Sequence, residues 1–119
     1  MENRKVIIGM RTHNSAETIV KSLNSILNQS YPNIKLIIYD DKSDDRTSQI
    51  IEKYIPLFKK KGFSLDVNYS EQDCNEGCGK ASERLNRIIA SQIDNSDIFF
   101  GLDSDDVFLT PDTVKDCVE

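Results

Sequence analysis

The sequence lacks long apolar runs. Its longest, such as Val6-Ile7-Ile8 and Leu36-Ile37-Ile38, are far too short to span a bilayer, so no transmembrane segment is expected. It also lacks an N-terminal apolar targeting region: Met1-Glu2-Asn3-Arg4-Lys5 leads straight into a strand pattern. That predicts a reducing compartment and free thiols for its 3 cysteines. Cys74 and Cys78 are spaced C-x3-C, but only Cys117 and the single His13 could complete a tetrahedral zinc site, and both are remote in sequence. A packing or incidental role for the cysteines is favoured. There is no excess of basic charge either. With 15 Lys and Arg against 20 Asp and Glu, the net charge is −5, which argues against a nucleic-acid surface. G-x-G-x-x-G and G-x-x-x-x-G-K-[ST] are both missing, which disfavours dinucleotide and P-loop readings. Neither acidic loop has the glycine that a calcium loop needs at its sixth position.

What is present fits one domain over residues 1–119, with 38% hydrophobic and 29% charged residues. Apolar runs at Lys5–Met10 and Ile34–Tyr39 read as buried parallel strands, and Phe63 to Ser70 alternates like an edge strand with one wetter face. Between them, Ile19, Val20, Leu23, Ile26 and Leu27 make one apolar helical stripe, with Asn14 or Ser15 as its cap and Glu17 in its first turn. Ile50, Ile51, Tyr54 and Ile55 make a second stripe, with Pro56 near its end and Lys59-Lys60-Lys61-Gly62 as a basic turn that reads as a solvated helix end. A third helix is predicted over Lys80–Ile93. A buried strand at Ile98–Leu102 follows, and then a helix opened by Thr110 as cap and Pro111 at its first position. Strict β-α alternation predicts an α/β, Rossmann-like, mostly parallel sheet with helices on both faces and strand order about 3-2-1-4.

In such a sheet, ligands bind beyond the carboxyl ends of the strands where the winding reverses, here between strands 1 and 4. Three polar clusters converge there. Thr12, His13 and Asn14 follow strand 1, and Asp40 and Asp41 follow strand 2. Asp103, Ser104, Asp105 and Asp106 follow strand 4. Carboxylates this close repel unless a cation joins them, and hard oxygen ligands suit Mg²⁺ or Mn²⁺. A nucleotide diphosphate fits the set: base over strand 2, ribose between, diphosphate on the metal at Asp103, Asp105 and Asp106. Lys80, at a helix start, can add a phosphate contact. The plainer readings are that each Asp is a solvated turn residue, that Ser43 and Asp44 only cap a helix, and that His13 is a polar loop residue. Asp103-Ser104-Asp105-Asp106-Val107 also looks like the strand-end motif of haloacid-dehalogenase-like phosphatases, but that motif would have to open the fold.

The combination resembles the N-terminal, nucleotide-binding half of family 2 glycosyltransferases of the GT-A fold. The matching stretches are Val6–Asn14, Ser22–Pro32, Ile37–Thr47 and Leu102–Asp112, four weak motifs in the right order. The resemblance implies inverting, metal-assisted transfer of a sugar from a nucleotide-diphosphate donor, often a UDP-sugar, to a hydroxyl on a glycan or lipid-linked acceptor. It places Thr12 and Asp41 at the base with Asp40 close by, Asp103 at the ribose or metal, and Asp105 and Asp106 on the metal as the D-x-D motif. Asn75, Gly77 and Lys80 fall where the family carries a variable segment near the diphosphate. His13 stands where Tyr is common and Lys42 where Gly is common. Lys42 implies that the turn need not take positive φ, or that its geometry differs. The resemblance also implies a truncated sheet. The general base is then expected beyond these residues, and the chain alone is expected to be weakly active or inactive. A cytoplasmic or inner-membrane-face location and pairing into a homo-oligomer through an exposed edge are further expectations. The rivals are a non-catalytic nucleotide-binding or interaction module on the same fold, and a nucleotidyltransferase. The segment Arg11-Thr12-His13-Asn14-Ser15 lacks the Gly-rich basic loop that the last would carry.

Overall fold

A computed structural model describes residues 4–118. Met1, Glu2, Asn3 and Glu119, which the sequence reading includes at the two ends, lie outside the described residues. The elements run β1 (Val6–Thr12), α1 (Ile19–Leu27), β2 (Ile34–Asp40), α2 (Thr47–Lys61), β3 (Ser64–Tyr69), α3 (Cys78–Ala90), β4 (Ile98–Gly101) and α4 (Thr113–Val118). The four strands form one parallel sheet in the order β3-β2-β1-β4, as the alternation predicts.

Side-chain parity along β1 and β2 sorts the helices. Val6, Ile8 and Met10 of β1 and Leu36 and Ile38 of β2 face α1, α2 and α4, and share a core with Ile19, Leu23, Ile26, Ile51, Phe58 and Val114. Ile7, Ile37 and Tyr39 face the other way, onto Ala81, Leu85 and Ile89 of α3. Gly9 makes that second packing close. A Cβ built there would sit 2.7 Å from Ile89 Cδ1 and 3.0 Å from a Phe99 ring carbon, so a side chain at position 9 would force the Ile89 and Phe99 side chains to shift.

Several local expectations are corrected. β1 runs two residues further than its apolar pattern, because Arg11 and Thr12 still pair with Tyr39 and Asp40 of β2. α1 starts at Ile19, with Thr18 in the cap position and no side-chain cap; the Ser15 carbonyl accepts instead from the N–H groups of Thr18 and Ile19, and Glu17 precedes the helix. α2 continues past Pro56, whose neighbours Glu52 and Lys53 are exposed, and Lys59, Lys60 and Lys61 form its last turn, the helix end expected of them. Gly62 then ends it in the left-handed conformation at φ 91°. α3 opens at Cys78, two residues before Lys80. α4 opens at Thr113; Thr110 and Pro111 lie in the turn before it, and the Thr110 hydroxyl accepts from the Asp112 N–H at 3.3 Å. β4 is half-exposed rather than buried: Phe99 is 45% accessible, and among the described residues β4 pairs with β1 alone. The three cysteines are free and all exposed, so none of them packs the core.

Candidate functional site

The carboxyl ends of β1, β2 and β4 and the start of α3 enclose a cavity of about 440 Å³. Its walls are residues 11–15 and Thr18 from the β1 turn, Asp41 after β2, Asn75, Gly77, Cys78 and Ala81 at α3, and Asp103, Ser104 and Asp105 after β4. This is the edge where the winding reverses, and the volume is in the range of small-ligand sites, about 300–1,000 Å³.

Two turns meet beside the cavity, and Asn14 joins them. Its backbone takes positive φ, 49°, a conformation that Asn tolerates. Its N–H donates to Ser43 Oγ (2.9 Å), and its Oδ1 accepts from the N–H groups of Asp44 and Asp45 (2.7 and 3.3 Å). Lys42, in the facing turn, also has positive φ, 56°. The turn after β2 therefore keeps the left-handed residue that a glycine would supply, with a lysine in it. Asp45 adds a second clamp. It accepts from Thr47 N (3.0 Å), Thr47 Oγ1 (2.5 Å) and Ala16 N (3.2 Å). Burial alone would raise its pKa; the hydrogen bonds from Thr47 and Ala16 outweigh this and lower it. His13 Nδ1 lies 2.7 Å from the Asp41 carbonyl oxygen, which holds the ring against the β2 end.

Asp40 and Asp41 point in different directions. Asp40 is only 3% accessible. Its Oδ1 accepts from Thr12 Oγ1 (2.5 Å) and Ser43 Oγ (2.6 Å), and its Oδ2 from Ser43 N–H (3.0 Å). It faces the protein and does not line the cavity. The extension of β1 explains this, because Thr12 is the register partner of Asp40. Asp41, 2% accessible, does line the cavity. Its carboxylate accepts from the Glu76 N–H (2.9 and 3.1 Å) and the Gly77 N–H (2.9 Å). That fixes the approach to α3, where Gly77 takes φ 90°. Arg84 secures the same loop with a forked pair to Glu76 at 2.5 and 3.0 Å, and this hydrogen bond holds the Glu76 carboxyl below the ordinary range.

The acidic tip is a turn closed by Asp106 N–H to the Asp103 carbonyl (2.9 Å). Asp103, Asp105 and Asp106 are exposed, and each can offer an oxygen within 4.8 Å of the other two. Ser104 is buried beneath them, its hydroxyl 2.6 Å from Ser15 Oγ. α1 anchors the segment that leaves the tip. Ser22 Oγ donates to the Asp106 carbonyl, and Ser25 Oγ accepts from Phe108 N–H (3.1 Å). Gln29, 1% accessible, donates to the Ser25 and Thr110 carbonyls (3.1 and 2.8 Å) and accepts from Val114 N–H (3.0 Å). Among the described residues the tip offers carboxylate oxygens, hard donors that fit Mg²⁺ or Mn²⁺.

The structure thus gathers Thr12, His13, Asn14, Asp41, Asp103, Ser104 and Asp105 around one cavity, with Asp106 at its rim. Lys80 is not on that wall. It is exposed and borders a smaller hollow with Glu83, Arg84 and Arg87. Sequence reasoning passes over Arg11, which lines the cavity and lies 3.7 Å from Asp103 Oδ2. The signal was its place at the end of an otherwise apolar strand. Ser15 and Cys78 are further wall residues with no motif to mark them.

Comparison with known proteins agrees with this layout. Residues 7–119 match the glycosyl transferase family 2 model. A processive diacylglycerol beta-glycosyltransferase of Mycoplasma genitalium is 26% identical over 98% of this chain and 32% of its own length. The poly(ribitol-phosphate) beta-N-acetylglucosaminyltransferase TarS of Staphylococcus aureus is 33% identical over 88% of this chain and 17% of its own length. The chain thus spans a third or less of these curated relatives. Crystal structures of S. aureus TarS 1-349 with UDP and with UDP-GlcNAc superpose with TM-scores of 0.76 and 0.74, at 29% and 30% identity. Each covers 95% of this chain and 30% of the solved one. A mannosyltransferase of Pyrobaculum calidifontis, solved with GDP-Man and Mn²⁺, shares the fold at a TM-score of 0.73 and 21% identity, over 96% of this chain and 31% of that one. The sheet order, the four-motif sequence and the family match over nearly the whole chain lead to one conclusion: this chain belongs to glycosyl transferase family 2.

Proposed function

We propose that this chain is the donor-binding half of a metal-assisted, inverting glycosyltransferase whose donor is a UDP-sugar. The observation that carries the reading is the convergence of the β1 turn, Asp41, the start of α3 and the acidic tip on one cavity of about 440 Å³. The UDP and UDP-GlcNAc complexes of S. aureus TarS, on the same fold, support it.

On this reading Thr12, His13, Asn14 and Asp41 surround the base, together with Asn75 and Gly77. Asp40 acts from behind, holding the Thr12 hydroxyl and the Ser43 turn in place. Asp103 and Ser104 face the ribose. Asp103, Asp105 and Asp106 hold a divalent cation, Mn²⁺ or Mg²⁺, whose contribution when bound is Lewis-acid stabilisation of the departing diphosphate. Lys80, off the cavity wall, keeps a longer-range electrostatic role toward the phosphates. The acceptor is a glycan or lipid-linked hydroxyl. No general base is assigned among the described residues, since Asp41 is engaged by backbone amides and the tip carboxylates by the cation. This chain alone is therefore expected to transfer sugar poorly. The reading also carries a cytoplasmic or inner-membrane-face location and self-association.

Calorimetry with millimolar UDP and Mn²⁺ tests it. Binding is expected, with a gain in stability of about 1.4 kcal/mol at ten times Kd. Asp105→Ala and Asp106→Ala should each weaken it. No heat of binding with the wild-type chain would sink the donor-site reading.

A further inference from the structure

We propose that Arg11 is the resident counter-cation of the acidic tip, and that it couples filling of the cation position to filling of the nucleotide cavity. This rests on the donor-site reading above and deepens it.

Arg11 is the second-last residue of β1, and its side chain spans the cavity from α3 to the tip. Nη1 donates to Ser82 Oγ at 2.9 Å and to the Cys78 carbonyl at 3.3 Å. Nη2 lies 3.7 Å from Asp103 Oδ2. A guanidinium can hold all three because its donors diverge from one rigid plane; an ammonium on a flexible stem would not be fixed in the same way. Among the ion pairs of the described residues, this is the one that reaches Asp103, Asp105 or Asp106.

The consequence is electrostatic. Three carboxylates within 4.8 Å of one another attract any cation, yet one of them already has a tethered positive charge beside it. A divalent ion arriving alone meets that charge as repulsion and loses part of the Asp103 field to it. An anionic ligand in the cavity alters the balance, since Arg11 lines the same cavity and gains a second anion to pair with. Asp103 is then freer for the metal. By linkage, whatever the nucleotide adds to metal affinity, the metal adds to nucleotide affinity. Arg11 thus suppresses binding of the metal alone and favours binding of metal and nucleotide together.

The test is Mn²⁺ binding to this chain, followed by electron paramagnetic resonance of the free ion, with and without UDP. It compares wild type, Arg11→Gln, Arg11→Met and Arg11→Lys. Arg11→Gln keeps an amide for the Ser82 and Cys78 contacts while removing the charge, and Arg11→Met is the second neutral variant should one fail to fold. Without UDP, the neutral variants should bind Mn²⁺ about fivefold more tightly, the scale of one unit-charge interaction exposed to solvent. The affinity gained on adding UDP should shrink by about the same factor. Arg11→Lys, which keeps the charge but not the three fixed contacts, should fall between wild type and the neutral variants. A merely structural Arg11 would lower the unfolding temperature of the neutral variants and leave Mn²⁺ affinity equal or weaker, which overturns the proposal. Wild type that binds no Mn²⁺ with or without UDP would instead overturn the donor-site reading beneath it.

Discussion

Asp40→Asn separates two roles for a residue that sequence reasoning gives to the nucleotide. The substitution is nearly isosteric and removes one acceptor. Oδ1 can keep the hydroxyl protons of Thr12 (2.5 Å) and Ser43 (2.6 Å), but an amide nitrogen in place of Oδ2 would face the Ser43 N–H at 3.0 Å, donor against donor. The site is 3% accessible, so water cannot readily replace the lost acceptor. An unsatisfied buried donor costs about 1–3 kcal/mol, and losing the charge weakens the two remaining hydrogen bonds. Turning the amide over only moves the conflict onto the two hydroxyls. A net loss of about 2–3 kcal/mol is therefore expected. For a chain of this length that corresponds to a fall in Tm of roughly 8–15 °C. Thermal unfolding by circular dichroism measures it, and UDP titration well below both transitions measures binding. Because Asp40 does not line the cavity, UDP affinity of the folded variant should change less than about threefold. A variant with wild-type stability but tenfold weaker UDP binding would refute this reasoning and return Asp40 to the nucleobase.

Two further outcomes are expected. Gln29→Met fills the same buried space but leaves the Val114 N–H without its acceptor, while the Thr110 carbonyl keeps its donor in Thr113, so urea denaturation should show a loss of about 1–3 kcal/mol; a change under about 0.5 kcal/mol would mean that α4 and the preceding turn are held by packing alone. Acid should weaken the fold as well. The pKa of Asp45 is lowered by the Thr47 and Ala16 hydrogen bonds against the opposing effect of burial, that of Glu76 chiefly by Arg84, and that of Asp94 chiefly by Ser96. Groups with depressed folded-state pKa values contribute stability above their unfolded values, near 4, and lose it as pH falls through the folded ones. Denaturation from pH 7 to 2 should show that loss below about pH 4, and Asp45→Asn should flatten part of it; an unchanged acid limb in Asp45→Asn would count against the clamp.

Most of the architecture was legible because parity and period are simple signals. Alternating apolar runs gave the strand order and placed Thr12, Asp41 and Asp103 at one edge. The hidden part was tertiary. The apolar pattern of β1 stops at Met10, yet pairing to Tyr39 and Asp40 carries the strand to Thr12 and turns the Asp40 carboxylate inward. Nothing in the local sequence reports that, because hydrogen-bond direction depends on register. Lys42 hides its positive φ for the opposite reason: a glycine would announce it, whereas a lysine takes it under the constraint of the turn that Ser43 and Asn14 close. β4 reads as buried from Ile98-Phe99-Phe100, but exposure is decided by what lies beyond it, and no run of three residues contains that.

α1 shows the same limit most clearly. As a stripe of Ile19, Leu23 and Ile26 it is an ordinary core helix. Its polar residues then look like solvent-facing filler. Yet Ser22 and Ser25 of α1, and Gln29 two residues past its end, all hydrogen-bond to the segment from Asp106 to Val114. Ser22 and Gln29 are as buried as the apolar stripe beside them. Amphipathicity cannot explain buried serine and glutamine, because an unpartnered polar group there would be destabilising. Holding the chain that leaves the acidic tip can explain them. β4 delivers Asp103, Asp105 and Asp106 to the edge of the sheet, and α1 fixes the backbone that carries them. The motif Ser22–Pro32 is therefore part of the site's construction, although none of these three side chains lines the cavity.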